Sequence, residues 1–206
     1  MEKRFFTAHK SERFLAKYVP TSKSQLVQTP DKITLQVPLV LKIVSPQALH
    51  KSDIGGVRII QSKNDLVPQF RDLLRTAHEH HLKLEGIMVQ EYVEGEKIII
   101  GIKKDPVFGH VILFGLGGIF TEVLEDVAIR KCPITIHDAE DMIHELRAAK
   151  IFNGFRGIEL NTKLLKEVLV KVSHIPQKHK TITELDINPF ILNAKTGKVV
   201  DARIVF

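Results

Sequence analysis

Two apolar runs, LVLKIV at 39–44 and VRII at 57–60, flank a loop that a proline closes at one end and two glycines close at the other. Runs this short between such punctuating residues are strands and not helices, so the segment commits the chain to a sheet with a long connection between neighbouring strands. Two residues stand out against that frame. His50 lies in the loop, where an imidazole is either solvated and idle or placed for proton or group transfer near neutral pH. Lys42 interrupts the first run, and an ammonium there needs water at the sheet surface or an anionic partner; a lysine snorkelling from a half-buried strand meets the same need.

The rest of the chain reads as a mixture. Helices are expected over 11–18, with Ser11 as N-cap, over 64–81, capped by Asn64 or Asp65, over 138–150, capped by Asp138, and over 161–173. Strands are expected at 24–28, 87–92, 97–102, 111–114, 182–187, 190–192 and 198–205, the pair at 97–102 and 111–114 forming a hairpin through KKDP. Strand runs outnumber helices without strict alternation, so the fold class is α+β. A chain of 206 residues has room for one domain or two packed lobes.

Composition excludes several functions. No run approaches the roughly 18 apolar residues of a membrane span, and the first residues, MEKRFF, lack the apolar core of a secretory leader, so a cytoplasmic protein with no membrane partner is expected. The single Cys132 offers neither an internal disulfide nor a metal set. A net charge of +6 invites nucleic acid, but the basic residues are dispersed and only two Tyr and no Trp are available for stacking, so no nucleic-acid partner is expected.

Three further segments carry chemistry. In MVQEYVEGEKIIIG, at 88–101, a strand runs into a turn dense in carboxylates; strand ends offer backbone groups to a planar base and carboxylates accept from ribose hydroxyls, although a plain charged turn has the same composition. FGLGGIFTE, at 114–122, fails the dinucleotide fingerprint because position 120 is Phe120, and the chain has no GxxxxGK[ST] loop. Its glycines fit close backbone approach to a phosphate or to the histidine. In ELDINP, at 184–189, Asp186 and Asn188 share one strand face, to which Asp201 can return. Hard oxygen donors of this kind suit Mg²⁺, which takes few protein ligands, and they are equally at home as polar residues at strand ends. His144-Glu145 is not a zinc-protease motif, since position 148 is Ala148.

Taken together, LKIVSPQALHKSDIGGV, MVQEYVEGEKIIIG, IGIKKDPVFGHVILFGLGGIFTEVLEDVAIRKCPIT and ELDINP with Asp201 resemble an ATP-grasp domain, and more closely the beta subunit of ADP-forming acetyl-CoA synthetase, also called ADP-forming acetate-CoA ligase. The resemblance implies an ATP-grasp fold of two lobes clasping a nucleotide, expected here as 1–93 with the phosphohistidine loop and 94–206 with the Mg/phosphate site. It implies His50 as the phosphoryl carrier, Lys42 on the nucleotide phosphates, Glu91, Tyr92 and Val93 along the adenine, and Glu96 on the ribose. Asn188 and Asp201 would hold Mg²⁺, Asp186 would meet the histidine or the metal, and Glu122 and Arg130 would act at the transferring group; Arg130 is otherwise a surface ion-pair partner. Between 30 and 38 the chain is shorter than the resembling family.

The implied activity is that of an ADP-forming acid-CoA ligase subunit using ATP/ADP and Mg²⁺. A CoA-binding alpha subunit, in an α2β2 heterotetramer, would handle acetyl-CoA or another acyl-CoA and phosphate, because this chain has no recognisable CoA-binding fingerprint. A noncatalytic nucleotide-sensing module, or an ATP-grasp domain detached from an acyltransferase fusion, is the alternative. If the histidine loop travels, Ser45-Pro46 and Gly55-Gly56 are the expected ends of the moving segment.

Overall fold

Period-2 burial along 98–102 and 184–188 marks strands buried on one face, whereas 41–44 and 86–90 are buried on both. The computed structural model describes residues 4–48, 54–118 and 125–206. In chain order the elements are β1 (Phe5–Phe6), α1 (Ala8–Leu15), β2 (Ser24–Val27), β3 (Leu39–Val44), β4 (Val57–Ile60), α2 (Lys63–Glu79) and β5 (Gly86–Glu91). There follow β6 (Glu96–Asp105), β7 (Gly109–Leu116), β8 (Val127–Lys131), α3 (Ile136–Glu145), α4 (Thr162–Ser173), α5 (Ile175–Lys178), β9 (Glu184–Leu192), β10 (Gly197–Val199) and β11 (Ala202–Val205). They divide into two compact units, Ser22–Val93 and the combination of Met1–Thr21 with Glu94–Phe206.

The unit Ser22–Val93 is an antiparallel sheet in the order β2-β5-β3-β4 with α2 on one face. Phe70, Leu73 and Ala77 of α2 pack on Leu39, Leu41, Ile43, Ile60, Ile87 and Val89. Each fully buried side chain of this size contributes roughly 1.5–3 kcal/mol. The expected strands β3 and β4 form over the anticipated residues. The cap of α2 is Ser62, whose hydroxyl accepts from the Asn64 N–H, instead of Asn64 or Asp65. A cap must stand outside the first helical turn to reach back into it.

The larger unit is built on the sheet β1-β11-β9-β6-β7-β8, with β10 also pairing β9. Its buried face carries Ile98, Ile100, Ile102, Ile112, Phe114, Leu185 and Ile187 against Leu15 of α1, Met142 of α3 and Leu165, Leu169 and Val172 of α4. Val93 and Glu94 fall in different compact units, and residues 1–21, expected with the first lobe, group with Glu94–Phe206. Phe5 and Phe6 pair with Val205 and Ile204, and α1 packs on β11, so the N-terminal segment completes the edge of the larger sheet.

Several boundaries differ from the sequence expectation. Helix α1 begins after Thr7 and buries Ser11 inside it, where no cap is needed. In α3 the cap is Thr135, and Asp138 returns the bond from the third helical position, accepting from the Thr135 N–H at 2.8 Å. The helix ends at Glu145, well short of Lys150. The runs 182–187 and 190–192 form one strand, β9, which passes through Pro189 where the pairing with β6 shifts register between Ile98 and Ile100. An irregularity is where a strand tolerates a residue lacking an N–H. The run 198–205 conversely splits into β10 and β11.

Candidate functional site

Because β9 buries Leu185 and Ile187 on the helix-covered side, Glu184, Asp186 and Asn188 face the open side of the larger sheet. Strand β11 runs antiparallel to β9 with Ala202 opposite Ile187 and Arg203 opposite Asp186. The same register sets Asp201 beside Asn188, and the Asn188 N–H donates to the Asp201 carbonyl at 3.1 Å. Asp186, Asn188 and Asp201 are thus brought together, as expected from their spacing. Partial desolvation by the surrounding sheet first, and then the negative charges of Asp201 and Glu184, raise the pKa of Asp186 above the ordinary carboxylate value, while Arg203 opposes them. Arg203, missed in the sequence, belongs to this face; its guanidinium lies 5.6 Å from the Phe5 ring centroid. The period-2 step from Asp201 to Arg203 was the signal available for it.

The donor set fits a hard divalent cation. Asp201 and Asp186 offer carboxylate oxygens and Asn188 an amide oxygen, and Mg²⁺ completes its shell with water and phosphate. Among the described residues no group of three His, Cys, Asp or Glu side chains could hold a metal by itself.

Arg130 is not brought to this face. It stands opposite Ile112 in the β7–β8 register, on the helix-covered side, and forms a two-pronged ion pair with Glu145 of α3, Nη1 to Oε2 being 3.0 Å. That hydrogen bond raises the arginine pKa and lowers that of Glu145. The surface ion-pair alternative describes it. Glu96 opens β6 in the larger unit, opposite Leu192. Just before it, Gly95 adopts φ +150°, and a Cβ there would run into the Leu192 carbonyl. In the glycine segment Gly115 is constrained by space alone, since a Cβ would lie 2.7 Å from the Asp126 carbonyl oxygen. Glu122 lies outside the described residues. The Cys132 thiol is pushed up to about 12 by burial, which fits a packed, unreactive residue.

In the unit Ser22–Val93, Lys42 is only 7% exposed. It shares its sheet face with Met88, its partner on β5, and with Gln90, which is 1% exposed. Glu91 ends β5, its carboxylate accepting from the Lys23 N–H at 2.7 Å and its own N–H donating to the Lys23 carbonyl at 2.9 Å. The Tyr92 N–H donates to the Pro38 carbonyl at 3.2 Å. Those two N–H groups are engaged, so any backbone recognition by this stretch falls to carbonyls and to Val93. His50 lies outside the described residues. At Gly55 and Gly56, the expected end of the segment if the loop travels, the Gly55 carbonyl accepts from Arg58 and the Gly56 carbonyl from the Ile43 N–H at 2.9 Å.

The model of the ATP-grasp domain matches residues 2–206. The chain belongs to the ATP-grasp family. Within it, the ATP-grasp chain groups with beta subunits of ADP-forming acetate–CoA ligases: it is 40% identical to the acetate–CoA ligase [ADP-forming] I subunit beta of Pyrococcus furiosus, over 82% of this chain and 75% of that one. It also matches acetate–CoA ligase [ADP-forming] I of Archaeoglobus fulgidus at 40% identity over 82% of its own length, but spans only about a quarter (25%) of that longer protein. Among solved structures it superposes on the dinucleotide-forming acetyl-coenzyme A synthetase 1 of Ca. Korarchaeum cryptofilum with a TM-score of 0.95 and 36% identity, covering 98% of this chain and 93% of that one. That ATP-grasp relative was solved with coenzyme A, Ca-AMPCP and HgCl+. The same enzyme has been solved with Mg-AMPPCP and its phosphohistidine segment pointing towards the nucleotide site. The α+β architecture of this chain is therefore the ATP-grasp fold. Among the described residues no helix is long and apolar enough to cross a membrane.

Proposed function

We propose that this chain is the nucleotide-binding, beta-type part of a cytoplasmic ADP-forming acid–CoA ligase, passing a phosphoryl group through His50 between a CoA-binding alpha subunit and ADP. The carrying observation is the register that sets Asp186, Asn188 and Asp201 on one open face, in a chain whose relatives are named beta subunits of ADP-forming acetate–CoA ligase. Asn188 and Asp201 would hold Mg²⁺, whose charge neutralises nucleotide phosphates when bound. Lys42 would add a cation to those phosphates, Glu91, Tyr92 and Val93 would border the base, and Glu96 would take the ribose. Glu122 would act near the transferring group.

In the transfer itself a neutral His50 nitrogen attacks phosphorus on the partner's phosphohistidine, forming one N–P bond as the partner's N–P bond breaks. An oxygen of the ADP β-phosphate then attacks the same phosphorus, and the His50 N–P bond breaks to release ATP. Asp186 would hold the second ring nitrogen of His50 and so orient the first. An alpha subunit in an α2β2 assembly would bring acetyl-CoA or another acyl-CoA together with phosphate.

Labelled MgATP tests the reading in reverse. The wild-type chain, mixed with its CoA-binding partner, should take up acid-labile, base-stable label that His50→Ala removes. Label that survives His50→Ala would place the carrier elsewhere.

A further inference from the structure

Strands β3 and β4 are joined by residues 45–56, and the described ends of this connection are tied to the body of the unit Ser22–Val93 in different ways. At the β3 end, the Ser45 carbonyl accepts from the Ala48 N–H at 3.2 Å and the Ser45 hydroxyl from the Gln47 N–H at 3.2 Å. The Gln47 side-chain oxygen accepts from the Lys83 N–H at 2.5 Å, and Ala48 sits in the apolar core. At the β4 end Ile54 packs against that core, and Gly55 turns with φ +64°. Its carbonyl is taken by the Arg58 guanidinium, which also donates to the Val57 carbonyl at 3.0 Å.

Arg58 is itself held. Its Nη2 donates to Asp72 of α2 at 2.7 Å, and the other oxygen of Asp72 takes Arg75. The bond from Arg58, followed by the charge of Arg75, keeps the Asp72 carboxyl below its ordinary pKa. A planar fork can satisfy two loop carbonyls and a carboxylate at once, which a lysine's single point of charge cannot. The contact therefore differs from a surface ion pair between two exposed side chains: it ties a backbone turn to a helix.

We propose that Arg58, clamped by Asp72, is a positioning residue for phosphoryl transfer, fixing the second root of the connection from which His50 is presented. The proposal rests on His50 being the phosphoryl carrier. In the sequence His50 follows Ala48 by two residues and precedes Gly55 by five. Holding Gly55 as well as Ala48 lowers the entropy lost when the imidazole is aligned for transfer.

The test uses the full chain with its CoA-binding partner and labelled MgATP. Arg58→Ala should slow labelling of His50 by about 10- to 100-fold, the range expected for a misplaced reacting group, with the MgADP dissociation constant changed less than about two-fold. Arg58→Lys should behave like Arg58→Ala, because the fork and not the charge holds the turn. Asp72→Asn, which leaves Arg58 in place, should give a smaller loss in the same direction, and it serves if Arg58→Ala does not fold. Wild-type labelling rates in folded Arg58→Ala or in Arg58→Lys would overturn the proposal. So would a parallel loss of MgADP affinity, which marks general damage to the unit. A wild-type label that His50→Ala leaves intact would overturn the carrier reading instead, and that outcome is read independently of Arg58.

Discussion

The two units position their candidate functional residues by different physical means. In the larger one, strand periodicity and antiparallel register bring Asp186, Asn188 and Asp201 to one face, with a backbone bond between Asn188 and Asp201 as the tie. In the unit Ser22–Val93 the residues of interest depend on contacts between distant segments: Lys83 holds Gln47, and Asp72 on α2 holds Arg58 over the Gly55 carbonyl. A register is repeated at every pair of the ladder and is hard to disturb with one side chain. A tie made by a single side chain is lost with that side chain.

The largest effect that would break this contrast is expected where the strand geometry itself is attacked. Gly95→Ala places a Cβ against the Leu192 carbonyl in a backbone conformation that L residues rarely adopt, and should cost roughly 3 kcal/mol or more. Urea unfolding measures it; near-wild-type stability would show that the β6–β9 junction yields more readily than a repeated ladder should.

Next in size is the loss of the proposed cation ligand. Asp201→Ala removes a carboxylate but leaves the carbonyl that accepts from Asn188, so the fold should persist while MgADP affinity falls at least about ten-fold, or about 1.4 kcal/mol. Calorimetric titration of Asp201→Ala beside Lys42→Ala sharpens the comparison: both should bind more weakly, but only the Asp201 variant should lose its dependence on Mg²⁺.

Arg130 provides a smaller, two-sided check. As the partner of Glu145 on the helix-covered face, Arg130→Ala should lower stability by about 0.5–1 kcal/mol, within the range of partly exposed ion pairs, and leave MgADP affinity unchanged. A clear loss of affinity with unchanged stability would return it to the nucleotide site.

The smallest effect concerns charge within the register-built face. The folded pKa of Asp186 is raised, so its ionisation disfavours the folded state. That penalty is absent below the unfolded carboxylate pKa, grows as pH rises through the interval up to the raised folded value, and is complete above it. Asp186→Asn should therefore raise Tm slightly at neutral pH and not at strongly acidic pH. Thermal melts across that range check the sign, and a stabilisation largest in acid would contradict it.

What the sequence determined by itself was the part of the molecule governed by short-range periodicity. Runs such as LVLKIV and VRII became β3 and β4 over the expected residues, and the two-residue spacing of Asp186 and Asn188 placed both on one face because side chains alternate along any strand. The long ordered motifs also carried the ATP-grasp family. Tertiary structure alone decided which segments completed which sheet. Phe5 and Phe6 look the same whether they begin a first lobe or close the edge of β11, and only pairing with Ile204 and Val205 selects the second. It likewise decided the side on which Arg130 lies, since Val127-Ala-Ile-Arg does not reveal its register against β7. The same holds for Arg58, which meets Asp72 fourteen residues later through the packing of α2 on the sheet. Periodicity is a property of consecutive residues; the choice of partner is a property of the folded chain.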